Sequence, residues 1–330
     1  MGRMGEFELL ARVRERLPAG AGRVLVGSGD DAAVTVPGGA TATSVDAVVD
    51  GVHFRRDRAS LPQIGHKALA TALSDLAAMG AEPGEAYVTL GVPRDLDEDG
   101  CVELLDGMVA LAEATETTLA GGDVIRTKEL FLAIAVVGHA ETPDSFVTRA
   151  GARHGDALVL TGEVGGAQAG LALLEDAGLT PTAGENASQL RKRQLEPRPR
   201  LSAGRALARA GATAMIDLSD GLGGDGLHLA EQSGAGLRID GEAVPLAAGA
   251  IPVLAAAKGD GLQRALEGGE DYELLAAVPH ERLGQARRAV HDDEGIALTT
   301  IGEIVEGDGV EIKLPDGRLL KPQRGFDQLA

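Results

Sequence analysis

The sequence predicts two α/β or α+β domains joined by a short linker. Three observations carry this: short β-branched runs recur between Gly, Pro and Asp, longer stretches repeat apolar residues at helical spacing, and the texture of the chain changes near Thr142-Pro143-Asp144. In the first half the strand-like runs are Val24–Val26, Val34–Val36, Ala42–Val45, Ala86–Leu90 and Phe131–Val137. Ile64, Ala68, Ala72, Leu76 and Met79 form one stripe and predict a helix over about Leu61–Met79, ending at Gly80 before Pro83. Val102, Leu105, Val109 and Ala112 predict a second helix, over about Asp97–Thr117.

A polar connection, Arg149–Asp156, leads into the apolar run Ala157–Thr161, so the boundary separates an N-terminal domain, 1–144, from a C-terminal domain, 145–330. In the second half helices are expected over about Gly166–Ala177, Leu201–Ala210, Gly221–Ser233 and Glu281–His291. Strands are expected over Met215–Leu218, Leu237–Ile239, Tyr272–Val278 and Val310–Leu314. Thr180–Arg200, with Asn186, Lys192 and three prolines, reads as a mobile loop.

The chain has 330 residues, 44% of them hydrophobic, enough to bury a sizeable core. Its 50 Asp plus Glu outnumber 31 Lys plus Arg, giving a formal charge of -19, and it has five Phe, two Tyr and no Trp. Nucleic acid is therefore not an expected partner, since neither a basic phosphate-tracking surface nor stacking platforms are available. One cysteine, Cys101, excludes an internal disulfide framework and a thiolate-built metal site, and makes the cytoplasm the default. No membrane is expected either. Met1–Pro18 mixes Glu6, Glu8, Arg12, Arg14, Glu15 and Arg16 with apolar residues, so it lacks a secretory h-region. No apolar run approaches the roughly 18 residues of a membrane span, and Glu6 stands where a myristoylation signal after Gly2 wants Ser or Thr.

Several carboxylates occupy places that surface solvation alone does not explain. Asp30 and Asp31 adjoin on the turn Gly27-Ser28-Gly29-Asp30-Asp31 after a strand, where like charges repel unless screened; good turn chemistry is the alternative. Asp46 ends a strand in Thr43-Ser44-Val45-Asp46, followed by Asp50, Gly51 and His53, and suits a hard cation, or else an exposed strand end. Asp75 is the only charged residue between Ala68 and Ala81, so it must face water or meet a cation. Asp123 follows Gly121-Gly122 in a turn. The strand Met215–Leu218 delivers Asp217, then Ser219 and Asp220, to Gly221 and a helix, with Asp225 one turn further on; helix capping is the alternative for Ser219 or Asp220 but does not explain all three. Gly268-Gly269-Glu270-Asp271-Tyr272 is a further acidic turn at a strand edge. The preference for Asp suits Mg²⁺, and carboxylates bind it usefully where an anion such as a nucleotide triphosphate shares the ions.

Familiar phosphate motifs are absent. Gly27-x-Gly29-x-x-Ala32 runs into Val34-Thr35-Val36-Pro37, not the helix a dinucleotide fingerprint needs. There is no Gly-x4-Gly-Lys-Ser/Thr and no protein-kinase loop. Gly162–Gly170 could seat a phosphate at a helix N-terminus, or serve close helix packing.

Gly29–Val34, Ser44–Asp46 with Gly51–Phe54, Lys67–Ala70 continuing to Ser74–Ala81, Gly121–Asp123, Ile216–Leu222 and Gly269–Leu274 stand in that order, and together, over Glu6 to about Phe326, they resemble the thiamine-monophosphate kinase family. The resemblance implies ATP- and Mg²⁺-dependent phosphorylation of thiamine phosphate to thiamine diphosphate, on the aminoimidazole ribonucleotide synthetase-like fold. In that fold an N-terminal α/β domain lends strands to a barrel across a homodimer, and a C-terminal α+β domain, a mixed sheet flanked by helices, closes over the nucleotide. Carried over by motif, Asp30, Ser44, Val45 through its carbonyl, Asp46, Asp75, Asp123, Asp217 and Asp220 would hold metal ions. Gly122, Asp123, Arg149 and Ser219 would contact ATP, and His53, Glu270 and Phe326 would contact thiamine phosphate. Val45 stands where the family has Thr. An acceptor phosphate oxygen is already nucleophilic, so no residue is assigned as covalent nucleophile or obligatory base and direct in-line transfer is expected. The competing expectations are another ATP-using enzyme of the superfamily, aminoimidazole ribonucleotide synthetase or selenophosphate synthetase, and, outside enzymes, an acidic binder of divalent cations. Cys101 lies outside any N-terminal loop of the selenophosphate type, and no EF-hand spacing supports the binder.

Overall fold

The structure, a computed structural model, describes residues 6–17, 22–27 and 32–322. It divides into two compact units, one made of the chain up to Leu76 with Ala81–Pro143, the other of Ala77–Gly80 with Asp144 onward.

The first unit contains α1 (Glu6–Arg16), β1 (Val24–Val26), β2 (Val34–Thr35), β3 (Ala40–Val49), α2 (Leu61–Ala78, of which Ala77 and Ala78 belong to the second unit), β4 (Glu82–Val92), α3 (Glu98–Ala114), β5 (Thr118–Arg126) and β6 (Phe131–Ala140). β1 and β2 form a small antiparallel ribbon. The main sheet has the order β3-β6-β4-β5, parallel between β4 and β5 and antiparallel elsewhere. It is open, with β3 and β5 at its edges.

Leu132, Ile134 and Val136 are buried on one face of β6, where Leu76 of α2 lies close against Gly138. The opposite face carries Val45, 68% exposed, and Ile125, 41% exposed. α3 starts at Asp97, whose carboxylate accepts the Gly100 N–H at 3.0 Å, with Glu98 and Asp99 in the favourable first turn.

Two acids sit differently from expectation. Asp46 lies inside β3 rather than at its end, because pairing with β6 continues without interruption to Val49. Asp123 is likewise inside a strand and not in a turn: β5 pairs with β4 up to Arg126, a bulge at Ala120 takes up one extra residue, and Gly121 and Gly122 pair in register with Tyr87 and Val88.

The second unit contains β7 (Ala157–Thr161), α4 (Gly166–Glu175), α5 (Thr180–Ala183), α6 (Ala187–Leu195), α7 (Leu201–Ala210), β8 (Ala214–Asp217), α8 (Leu222–Ser233), β9 (Gly236–Asp240), α9 (Ala250–Ala256), α10 (Gly261–Glu267), β10 (Leu274–Val278), α11 (Leu283–Glu294), β11 (Leu298–Val305), β12 (Val310–Lys313) and β13 (Leu319–Leu320). Its mixed sheet has the order β13-β12-β9-β11-β7-β10-β8. Every residue of β7, β8 and β10 is buried, which is why these strands read as short continuous apolar runs without alternation. One cluster joins Leu158, Leu160, Ile216, Leu237, Ile301 and Leu229 of α8; a second joins α4, α5, α6 and α9.

The mobile loop expected over 180–200 is instead largely helical. Ala183, Ala187, Leu190 and Gln194 are buried along one stripe, hidden in a charged segment, and the first three pack in the second cluster. Packing overrides the polar composition there.

Candidate active site

In the first unit, β3 and α2 bring Ser44, Asp46 and Asp75 together. The Ser44 hydroxyl donates a short hydrogen bond to Asp75 Oδ2. Burial, and then the charge of Asp75, push the Asp46 carboxyl up to about 6. The turn after β3 presents His53: its Nδ1 accepts the Val49 N–H at 3.2 Å, and its carbonyl accepts from Lys67 Nζ, also at 3.2 Å. Lys67 itself is buried on α2.

Strand alternation sorts the remaining ligand candidates. Val45 lies on the face of β3 opposite Ser44 and Asp46. The row Ala47, Ala133, Thr89, Asp123 crosses the whole sheet, so Asp123 shares the exposed face with Val45. Asp46 and Asp123 therefore sit on opposite edge strands, about 14 Å apart by strand spacing, and a single copy of the sheet does not bring them together. Asp123 Oδ1 accepts the Val124 N–H at 2.9 Å. Gly122 beside it cannot be replaced cheaply, since a Cβ there would lie 2.0 Å from the Val88 carbonyl oxygen.

In the second unit, β8 ends at Asp217 and the chain turns through Leu218, Ser219, Asp220 and Gly221 into α8. The N-cap of α8 is Gly221 at φ 100°, and no side chain caps it, so neither Ser219 nor Asp220 is spent on capping. A Cβ at Gly221 would lie 2.4 Å from the Glu267 carbonyl oxygen. Asp225, buried on α8, accepts the Asp220 N–H at 2.9 Å. Burial, then Asp217, raise its carboxyl well above the ordinary range, against the opposing pull of the Asp220 N–H and the charge of Arg149.

This turn is stitched to the acidic turn before β10. Leu218 N donates to Glu273 O at 2.8 Å, Tyr272 N to Leu218 O at 2.9 Å and Glu270 N to Ser219 O at 2.9 Å. The two motifs, far apart in sequence, form one backbone assembly.

Asp271 has a different task. Its carboxylate accepts the Gly165 N–H at 2.6 Å and the Ala167 N–H at 2.9 Å, filling the N-terminus of α4 that could otherwise have seated a phosphate. Burial pushes it up to about 7 in spite of these donors. The chain gives no local sign of this role, because the N–H groups come from a segment more than a hundred residues away, whereas the donor to Asp225 is only five residues away in the neighbouring turn. Asp30, Asp31 and Phe326 lie outside the described residues.

Among the described residues no three of His, Cys, Asp and Glu converge as a metal site. The donors that do meet are hard oxygens, and the mutual repulsion at Asp46 and Asp75, and at Asp217, Asp220 and Asp225, is charge that a hard cation would relieve. The residues present fit Mg²⁺.

The family model for AIR synthase related protein, N-terminal domain, matches residues 29–140, and that for its C-terminal domain matches 153–315. The thiamine-monophosphate kinase of Salmonella typhimurium is 37% identical over 302 residues, covering 91% of this chain and 90% of the relative. The chain belongs to the thiamine-monophosphate kinase family. The kinase of Halobacterium salinarum is 37% identical over 286 residues, 86% of this chain and 90% of its own. Among solved structures, thiamine-monophosphate kinase from Stenotrophomonas maltophilia superposes with a TM-score of 0.83 at 33% identity, over 96% of this chain and 98% of that one. AaThiL, complexed with AMPPCP and TMP, gives a TM-score of 0.76 at 28% identity over 99% of both chains. Escherichia coli HypE, a hydrogenase maturation protein, shares the fold at 20% identity and a TM-score of 0.76, over 98% of both chains.

Proposed function

We infer that this chain transfers the γ-phosphoryl group of ATP to thiamine phosphate, giving thiamine diphosphate and ADP. The observation that carries this reading is the hydrogen bond from Glu270 N to Ser219 O, which ties the proposed substrate contact to the proposed ATP contact through the backbone. In-line transfer between two anions needs fixed geometry more than a strong base, and a backbone tie supplies fixed geometry.

Ser44, Asp46 and Asp75, the Val45 carbonyl and Asp123, together with Asp30, Asp217 and Asp220, would hold Mg²⁺. Bound there, Mg²⁺ would neutralise phosphate charge. Gly122, Asp123, Arg149 and Ser219 would contact ATP, with the bare backbone of Gly122 admitting close approach. His53, Glu270 and Phe326 would contact thiamine phosphate, where Lys67 and the Val49 N–H hold the His53 turn. No side chain is needed as a covalent nucleophile.

A homodimer is the reading that accounts for the exposed face of the first sheet. Val45 and Ile125 are apolar and exposed there, and both edges, β3 and β5, are unpaired among the described residues, so a second copy could continue the sheet into a barrel. Val45→Glu would then give a monomer by sedimentation where the parent gives a dimer. The lone cysteine, buried on α3, is consistent with a cytoplasmic enzyme.

Phosphorus NMR of ATP, Mg²⁺, thiamine phosphate and the protein tests the function: a diphosphate product signal growing with ADP is expected. ATP consumption without that signal would refute it.

A further inference from the structure

The turn before β10 is held in an unfavourable shape. Glu270 (φ 68°) and Tyr272 (φ 52°) are both non-glycine residues in the left-handed region. Such conformations persist where the surroundings over-determine them. Here the backbone is gripped from several sides. Arg200 pairs with Glu273 through Nε at 2.8 Å and Nη2 at 2.5 Å, and Thr161 donates to Glu273 at 2.7 Å while accepting the Leu274 N–H at 2.8 Å. Asp271 is anchored on Gly165 and Ala167, and Glu270 and Tyr272 are bonded to Ser219 and Leu218.

The Glu270 side chain has its own hold. Gln194 of α6 donates from Nε2 to Glu270 Oε2 at 2.5 Å. A carboxylate can only accept, so the NH₂ end of the amide must face it. The other end, Gln194 Oε1, is buried and has no partner among the described residues, on a residue that is 4% exposed. An unpartnered buried amide oxygen destabilises the fold, and an unbranched apolar residue such as Met would fill the same space without it. Packing alone does not account for Gln at this place.

We propose that Gln194 is a positioning residue that fixes the Glu270 carboxylate as an acceptor for the heterocyclic end of thiamine phosphate, which offers the amino group of its pyrimidine and the positive charge of its thiazolium. This rests on the reading of Glu270 as a substrate contact. A carboxylate repels the phosphate end, which leaves the heterocyclic end as its partner. Holding the carboxylate in one rotamer before binding removes an ordering cost from substrate capture and leaves the transfer step untouched.

The test is steady-state kinetics against each substrate, with melting temperature, for Gln194→Met, Gln194→His and Glu270→Gln. For Gln194→Met, loss of a charge-assisted bond should raise KM for thiamine phosphate about tenfold. Its kcat and KM for ATP should hold, and its melting temperature should be equal or higher, because the orphan oxygen is gone. Gln194→His keeps an N–H donor and should restore KM. An unchanged KM in Gln194→Met beside a raised KM in Glu270→Gln would overturn the role of Gln194 and leave that of Glu270 standing. An unchanged KM in both would overturn both. A lower melting temperature with both KM values raised alike, in both Gln194 variants, would reduce Gln194 to a structural part.

Discussion

The two units use their acids in opposite ways. In the first, Asp46 and Asp75 face each other across β3 and α2, burial and Coulomb repulsion act on Asp46 in the same direction, and the partner recorded for Asp75 is a serine hydroxyl. In the second, the carboxylates are divided: Asp225 and Asp271 accept backbone N–H groups that hold turns, while Asp217 and Asp220 remain as ligand candidates. An acid cluster is therefore not a count of ligands. Asp271 spends both carboxylate oxygens on backbone N–H groups and Asp225 one of them, whereas Asp46 and Asp75 meet each other, a repulsion that a cation would relieve.

Substitutions in the two units should separate these uses. The largest expected effect is on turnover: Asp75→Asn should lower kcat by orders of magnitude with an unchanged circular dichroism spectrum, because it removes a proposed cation ligand whose hydrogen bond is to the Ser44 side chain. Near-normal kcat would erase the distinction drawn for the first unit. Next, Arg200→Ala leaves Glu273 buried and unpaired, which should cost about 3–5 kcal/mol in urea unfolding. A loss below about 1 kcal/mol, the scale of an exposed pair, would mean that the second unit does not depend on its buried charges.

Asp46→Asn sharpens the first half through pH. A folded-state carboxyl near 6 lies above its unfolded value of 3.8, so ionising Asp46 penalises the folded protein, and stability is lost as pH rises from about 4 to about 6. The penalty is at most about 3 kcal/mol, and smaller because Asp46 is partly exposed. In chelator-treated protein, Asp46→Asn should therefore melt above the parent at pH 8 and converge with it near pH 4. A difference independent of pH would contradict the Asp46–Asp75 repulsion. The smallest effect is expected for Asp225→Asn. The amide oxygen can still accept the Asp220 N–H, so kcat should fall far less than in Asp217→Asn; equal losses would make Asp225 a ligand and not scaffold.

Much of this was legible in the chain. The α2 stripe, the Leu201–Ala210 helix and the β1 run lie where periodicity places them, because each combines a clear apolar period with a Gly or Pro stop. Residues 180–200 misled for the converse reason: a helical stripe of Ala183, Ala187 and Leu190 is faint among Arg, Lys and Pro until α4 and α9 cover it. Asp46 and Asp123 look like strand-end and turn residues, since nothing local says how far a partner strand will continue.

Residue type and spacing alone mark which carboxylates stand out, where the clearest helices run and the order of motifs that places the chain in its family. Those are properties of residue type, spacing and local hydrophobic period. That Asp123 and Asp46 lie on opposite faces and edges of one sheet, that Asp271 caps α4, and that Gln194 grips Glu270 emerges from the folded arrangement. These depend on strand register and on hydrogen bonds between segments dozens of residues apart, and a linear pattern carries no record of either.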